Sequence, residues 1–249
     1  MPEMLVQMRD RLTHLCASRG IALSEPVVVR PLSADEAIGR EADPDFAIRR
    51  GKEQVIEGTL LGYRGQAFTD RPGRFEGSLG AILALDLEDV ARRAVFIAAA
   101  NALLRALGIA GGTVHCTDEA PSLCGRQIAE KIEERFGRVR IGLIGLQPAI
   151  LAGLVGRFGA TNVRLLDLNP DNIGRVFSGV VAEDGVLKLK AVVEWCRVGL
   201  ATGSSLVNGT LDEIHSAFAA AGKPVIFFGN TIAGAAALLG LERICPLAQ

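Results

Sequence analysis

Residues 138–172 read RVRIGLIGLQPAILAGLVGRFGATNVRLLDLNPDN, a pattern that predicts one complete β-α-β unit. Residues 139–145 are mostly apolar, contain β-branched side chains and end in glycine, as in a strand buried on both faces of a parallel sheet. A helix is predicted from Pro148, because proline is tolerated in the first helical turn, to Phe158. A second strand follows at 163–167. We therefore predict an α/β fold whose C-terminal part is a Rossmann-like parallel sheet flanked by helices.

This unit also contains candidate ligand-binding residues. Asp167 follows Gly145 at roughly the 20-residue spacing with which nucleotide-binding folds place an acid on a ribose. Gly142 and Gly145 are followed by Leu-Gln-Pro, so the second and third glycines of the G-x-G-x-x-G fingerprint are missing and the usual dinucleotide contact is not expected. Open α/β sheets bind ligands at the carboxyl ends of their strands. The candidates here are Gly145, Gln147, Asp167, Asn169 and Asn172.

The composition is that of an ordinary globular protein, and 249 residues allow one large or two modest domains. Hydrophobic residues make up 49% and charged residues 22%, while 29 glycines exceed the usual share and indicate many tight turns. A net charge of −1 without runs of like charge argues against a nucleic-acid partner. No apolar stretch is long enough to span a bilayer and the N-terminus lacks a secretory core. We therefore expect a cytoplasmic protein without a membrane partner.

The N-terminal part combines helical and strand-like patterns. Periodicity predicts a helix at 3–19, strands at 26–32 and 54–63, and a long helix at 89–107. Residues 65–80 carry turn residues but no periodic apolar face, so we predict a loop, with Asp70 as a candidate site residue because loops often carry function. We place a boundary at the start of the long helix, giving a smaller α+β domain at 1–88 and the parallel-sheet domain at 89–249.

The chemically richest segment is 111–125, GGTVHCTDEAPSLCG. Its two cysteines are eight positions apart, which is not a zinc-ribbon spacing. Thiolates beside a histidine would still suit a soft or borderline metal ion if the fold brought them together. The candidate metal ligands are His115, Cys116 and Cys124, with Asp70 facing them across a cleft. The alternative is a buried histidine bonded to the backbone with inert thiols. The five cysteines are an odd number, which argues against a disulfide framework.

Two further loops follow predicted strands near the C-terminus. A strand beginning at 197 continues into a hydroxyl-rich loop, and Thr210 is positioned to cap a helix at 211–220. Backbone N–H groups at that helix start, with the nearby hydroxyls, could hold an anion. A strand at 224–228 leads into a similar loop. The candidate ligand-binding residues of the two loops are Thr202, Gly203, Ser204, Ser205, Asn208, Thr210, Gly229, Asn230 and Thr231.

Several of these motifs together resemble the heavy-metal chelation family, which is also known as a domain of unknown function. The motifs are TVHCTDEAPSLC (113–124), IGLIGLQPAI (141–150), LDLNPDNIG (166–174), ATGSSLVNGTLDEI (201–214), FFGNTIAGAAALLGLERICP (227–246) and GQAFTDRPGRFEGSL (65–79). The resemblance implies an N-terminal domain similar to the enolase N-terminal fold, a C-terminal Rossmann-like domain and a metal-chelating site between them. This chain has Gly-Asn-Thr at 229–231 where many relatives have Gly-Pro-Ser or Gly-Pro-Thr, and its thiols beside His115 are not a general feature of the family.

Three functions remain open from the sequence. The first is a protein that binds or transfers a transition metal ion or metallocofactor of unknown identity. The second is an enzyme or sensor that binds an adenosyl-type ligand, with Asp167 on a ribose and Ser204, Ser205 and Asn208 on a carboxylate or phosphate. The third is a scaffold without a small ligand. No Ser-His-Asp spacing identifies a catalytic triad, so whether a reaction is catalysed is left open. A homodimer is the default assembly.

Overall fold

A computed structural model describes residues 2–39, 48, 53–118 and 120–249. The helices are α1 (Glu3–Arg19), α2 (Ala34–Ile38), α3 (Leu79–Leu83), α4 (Val90–Ala106), α5 (Ala120–Phe136), α6 (Pro148–Phe158), α7 (Leu189–Trp195), α8 (Ser204–Asn208), α9 (Leu211–Ala220) and α10 (Ala233–Leu239). The strands are β1 (Pro26–Pro31), β2 (Gln54–Leu60), β3 (Tyr63–Thr69), β4 (Phe75–Ser78), β5 (Ile141–Ile144), β6 (Val163–Asp167), β7 (Val176–Phe177), β8 (Val180–Asp184), β9 (Val198–Thr202), β10 (Val225–Phe228) and β11 (Arg243–Ile244). Within these ranges, no helix has both the length and the apolar composition to cross a membrane.

The larger sheet contains seven strands of the described chain in the order β11-β10-β9-β5-β6-β8-β7. Its strands are parallel, except that β7 runs antiparallel to β8. The β5-α6-β6 unit forms as predicted, and the α/β fold is confirmed. The strand order reverses between β5 and β9, where the following connections leave to opposite sides and open a crevice.

The smaller sheet is antiparallel, with the order β3-β2-β1-β4 among the described strands. The predicted loop at 65–80 is wrong, because its first part belongs to β3 and its later part forms β4 and α3. A tight turn joins β2 to β3 at Leu61 and Gly62, which have φ values of 51° and 77°. Periodicity missed β3 because its centre, Gly65-Gln66-Ala67, is buried without large apolar side chains.

Helix α4 packs across β2 and β3 and also contacts α8 and α10 of the C-terminal part. Its close approach requires glycine, since a Cβ at Gly65 would lie 2.2 Å from the Ala102 nitrogen. One apolar core runs without a break from Leu5 through Phe96 to Phe227. The boundary predicted near residue 89 coincides with the start of α4, and its standing as a domain boundary stays a prediction.

A second apolar cluster covers the other face of the larger sheet, beneath α5 and α6. These two helices touch through small residues. A Cβ at Gly125 would lie 2.2 Å from the Ala149 carbonyl oxygen, and one at Gly153 would lie 2.4 Å from the Gly125 carbonyl oxygen. The contact therefore fixes α5, and with it the position of Cys124, against the sheet.

Gly125→Ala should lower the free energy of unfolding by about 1–3 kcal/mol, because the added methyl group forces the two helices apart. Alanine has the higher helix propensity, so propensity alone predicts the opposite sign. Gly156→Ala on α6 is the matched control, since its Cβ would meet nothing within 4 Å. Urea unfolding of both variants checks the contact, and equal stability of the two would contradict it.

Candidate functional site

A cavity of about 930 Å³ opens at the carboxyl ends of β5, β6, β9 and β10 and is bounded by the end of β3. Every site residue predicted from the sequence lines it. These residues are Asp70, His115, Cys116, Cys124, Gly145, Gln147, Asp167, Asn169, Asn172, Thr202, Gly203, Ser204, Ser205, Asn208, Thr210, Gly229, Asn230 and Thr231. The fold thus brings together loops from both sheets. We call this cavity the cleft, and the part these residues play in binding stays a prediction.

Three thiols form a chain on one wall of the cleft. The Cys124 side chain interacts with Cys116 and with Cys245. The interaction with Cys124 lowers the pKa of Cys116, and the interaction with Cys116 raises the pKa of Cys124 to about 11. The interaction with Cys124, followed by burial, raises the pKa of Cys245. Sequence reasoning did not include Cys245, because only the tertiary fold brings the residue after β11 to α5. We call these three residues the thiol cluster.

Arg243 holds the chain segments around the thiol cluster. Its guanidinium donates to the carbonyl oxygens of Gly229 and Gly112, both at 2.7 Å. Val114 and Gln249 exchange two backbone hydrogen bonds of 2.9 Å, which tie the C-terminus to the loop before α5. Burial lowers the pKa of Arg243, and its positive charge stabilises a thiolate at Cys245.

His115 lies beside the thiol cluster on the same loop. Its ring meets the edge of Phe68, with centroids 5.1 Å apart, and its backbone N–H donates to Gln66 Oε1 at 2.8 Å. Burial lowers the pKa of His115 to about 4, against a smaller opposing effect of the Cys116 backbone. Among the described residues, its buried Nδ1 has no hydrogen-bond partner. The neutral ring is the form that a metal ion requires.

A buried amide network connects the two sheets behind this wall. Asn101 of α4 is fully buried, and its Nδ2 donates to the backbone oxygens of Gln66 and Thr231, both at 2.9 Å. Its Oδ1 accepts from the Gly234 N–H at 2.8 Å. Gln66 in turn receives the His115 N–H, so the network positions that histidine. Sequence reasoning missed both amides, although a lone Asn within the apolar face of α4 was a usable signal.

The Asp167 carboxylate is engaged in holding loops together. Oδ2 accepts from the Leu146 N–H at 2.7 Å, and Oδ1 accepts from the Asn169 N–H at 2.8 Å and from Asn172 Nδ2 at 3.1 Å. These bonds fix the loops after β5 and β6, including Gly145, whose φ is +90°. A ribose hydroxyl would therefore have to share the Asp167 carboxylate with the three hydrogen-bond donors that it already has.

The hydroxyl-rich loop also differs from its prediction. Residues 204–208 form the short helix α8, and the Ser205 hydroxyl donates to the Thr202 carbonyl oxygen at 2.7 Å. The predicted cap by Thr210 is wrong, because its side chain makes no capping hydrogen bond to α9. The Thr210 backbone already has a helical φ of −99° and ψ of −2°, whereas a capping hydroxyl works from an extended backbone.

The described part of the cleft lining carries an excess of acidic side chains. Arg175 is the only Lys or Arg among its described residues, against the carboxylates of Glu53, Asp70, Asp167, Asp171 and Glu213. Burial, followed by the charges of Asp167 and Asp70, raises the pKa of Glu53 to about 7. Sequence reasoning missed Glu53 because the shift arises from neighbours that only the fold assembles. The charge balance of these described residues favours a positively charged ligand over a phosphate.

Glu53→Gln should raise the free energy of unfolding at pH 8 by about 2–3 kcal/mol relative to wild type, with little gain at pH 4. The folded-state pKa of Glu53 lies above the unfolded value. Its contribution to the free energy of unfolding therefore falls as the pH rises from about 4.5 through 7. Urea unfolding at both pH values checks this, with Glu76→Gln on the exposed surface as control. A gain of the same size at both pH values would refute the assignment.

No metal site is already assembled in the described part of the chain. No group of three His, Cys, Asp or Glu side chains there is arranged to hold a metal ion. The four predicted ligands line the same cleft, but they do not surround one common point as the ligands of a bound metal ion do. Binding through the thiol cluster would therefore require side chains to rotate and thiols to lose protons.

Comparison with known proteins supports the fold. No family model and no curated protein matches the chain. A protein of unknown function from the DUF364 family of Pyrococcus horikoshii has a similar structure, with 17% identity, a TM-score of 0.54, and coverage of 92% of this chain and 79% of that chain. Another DUF364 protein, from Desulfitobacterium hafniense DCB-2, shares 13% identity, with a TM-score of 0.50 and coverage of 77% and 73%. The predicted likeness to a family of unknown function is confirmed at the level of the fold.

Proposed function

We propose that this protein binds a thiophilic metal ion through the thiol cluster. The observation that carries the proposal is the meeting of Cys116, Cys124 and Cys245, from three separate segments, on one wall of the cleft. Thiolates are soft ligands that favour ions such as Zn²⁺ and Cu⁺. Cysteines that only fill the core do not have to line a cavity together. A metal ion bound by all three thiolates would join the three chain segments that carry them.

The surroundings of the thiol cluster suit a cation. His115 offers a neutral ring whose Nδ1 has no partner among the described residues. The carboxylates of the cleft attract a positive ion, and Arg243 offsets part of the charge of the thiolates once protons leave. Asp70, the fourth ligand predicted from the sequence, lines the same cleft directly after β3, and in this proposal it attracts the ion rather than ligating it.

A small organic ligand is the second candidate, because the cleft is far larger than one ion and lies within the usual range of about 300–1,000 Å³ for small-molecule sites. An adenosyl-type ligand would lie along the Asp167 loop. The acidic lining favours a ligand without phosphates. Release of an ultraviolet-absorbing small molecule on denaturation would favour this candidate.

Thiol protection tests the metal proposal directly. The native protein is alkylated with iodoacetamide, with and without equimolar Zn²⁺, and labelled peptides are identified by mass spectrometry. We expect Zn²⁺ to protect Cys116, Cys124 and Cys245 together, because thiolates bound to a metal are poor nucleophiles. Cys16 and Cys196 are buried outside the cleft lining and serve as internal controls. Unchanged labelling of the thiol cluster in protein shown to retain zinc would refute the proposal.

A further inference from the structure

We propose that the thiol cluster is also a redox switch, in which oxidation joins Cys124 to one of its two thiol neighbours and releases the bound metal ion. The release of metal rests on the proposed function. The formation of the disulfide does not, because it depends only on the positions of the thiols.

Cys124 occupies the central position in the thiol cluster. It lines the cleft together with both other thiols, and its side chain interacts with Cys116 and with Cys245. A bond to either neighbour therefore joins side chains that already interact in the folded protein. The other two cysteines, Cys16 and Cys196, are buried and do not line the cleft.

The chain segments that carry these thiols are held in place. Backbone hydrogen bonds between Val114 and Gln249 join the segments of Cys116 and Cys245. The close contact of Gly125 with Ala149 fixes the turn of α5 that carries Cys124. The proximity of the three thiols is thus a property of the fold.

A hydroperoxide is the oxidant class that suits a cleft open to solvent. One thiol sulfur attacks the hydroperoxide, breaking its O–O bond, and becomes a sulfenic acid while the hydroperoxide leaves as an alcohol, or as water if it is hydrogen peroxide. The neighbouring thiol then attacks the sulfenic sulfur, and water leaves as the S–S bond forms. In sum, two thiols lose two electrons and two protons, and the hydroperoxide is reduced to alcohol and water.

The disulfide removes two of the three thiolates from the metal site and leaves one thiol free. That free thiol can exchange with the disulfide through Cys124, because exchange needs a thiol beside one of the bonded sulfurs. Disulfides of this kind in reducing compartments are usually transient and serve to sense oxidants. Reduction restores all three ligands.

The test oxidises the metal-free, reduced full-length protein with equimolar hydrogen peroxide, followed by peptide mapping under non-reducing conditions. We expect one internal disulfide that includes Cys124 and is reversed by dithiothreitol. Cys124→Ser should abolish it, while Cys116→Ser and Cys245→Ser should each retain one disulfide because the other neighbour remains. A disulfide of undiminished yield in Cys124→Ser, or one that involves Cys16 or Cys196, would overturn the switch.

Zn²⁺ binding measured by equilibrium dialysis supplies the second readout. Oxidised wild-type protein should bind Zn²⁺ at least about tenfold more weakly than the reduced protein, with recovery after dithiothreitol. Equal affinity in both redox states would overturn the switch while leaving the proposed function intact. Absence of zinc binding by the reduced protein would overturn the proposed function and the release of metal, whereas formation of the disulfide is decided by the peptide map.

Discussion

Asn101→Leu should lower the free energy of unfolding by about 3 kcal/mol or more. Leucine is similar in size to asparagine, so the loss of stability comes from the missing hydrogen bonds. The Asn101 side chain is fully buried and bonds to three backbone groups. Without it, the backbone oxygens of Gln66 and Thr231 lose a donor, and the Gly234 N–H loses its acceptor. Each buried group left without a partner costs about 1–3 kcal/mol.

Urea unfolding measures the effect of Asn101→Leu, with Gln7→Leu as the control. Gln7 lies on the exposed face of α1, where its Nε2 donates to Glu3 Oε1 at 3.2 Å. The control should change stability by less than about 0.5 kcal/mol. A loss below about 1 kcal/mol in Asn101→Leu would show that the amide network does not hold the two sheets together.

The triple variant with serine at Cys116, Cys124 and Cys245 should bind Zn²⁺ at least about a thousandfold more weakly than wild type. A thousandfold loss corresponds to about 4 kcal/mol of binding free energy. Serine preserves the size of the side chain but removes the soft ligand, so the secondary structure should persist. Competition with a chromophoric chelator measures the affinity, and circular dichroism checks the fold.

The control for the triple variant is Cys16→Ser with Cys196→Ser. Both side chains are buried away from the cleft, so the variant should retain the wild-type affinity even if its stability falls. An affinity loss shared equally by both variants would indicate a general effect of cysteine removal and would contradict a site at the thiol cluster.

The sequence predicted those elements whose local signals agree with their packing. Helix α9 begins and ends where it was predicted, and the β5-α6-β6 unit follows its apolar periodicity and Pro148. Strand β3 was missed because glycine and a buried amide replace its apolar pattern where α4 lies against it. In both cases the deciding factor was whether the buried positions carry large apolar side chains, because the periodicity signal depends on them.

The residues of the candidate site also divide into those that the sequence predicted and those that it did not. Loops after parallel strands had to meet at one edge of the sheet, so residues such as Asp167 and Ser205 could be placed there from the sequence. Cys245 and Gln66 could not, because their importance comes from segments far apart in the chain. The raised pKa of Glu53 likewise depends on two carboxylates from other elements. The predicted cytoplasmic location and homodimer stay predictions.

X-ray absorption spectroscopy of the zinc-loaded protein tests the central claim most directly, because it reports the atoms bound to the metal. We expect a sulfur shell of about three atoms near 2.3 Å, completed by a lighter nitrogen or oxygen ligand. The spectrum of the triple serine variant should lack that shell. A wild-type spectrum with only nitrogen and oxygen neighbours would contradict metal binding by the thiol cluster.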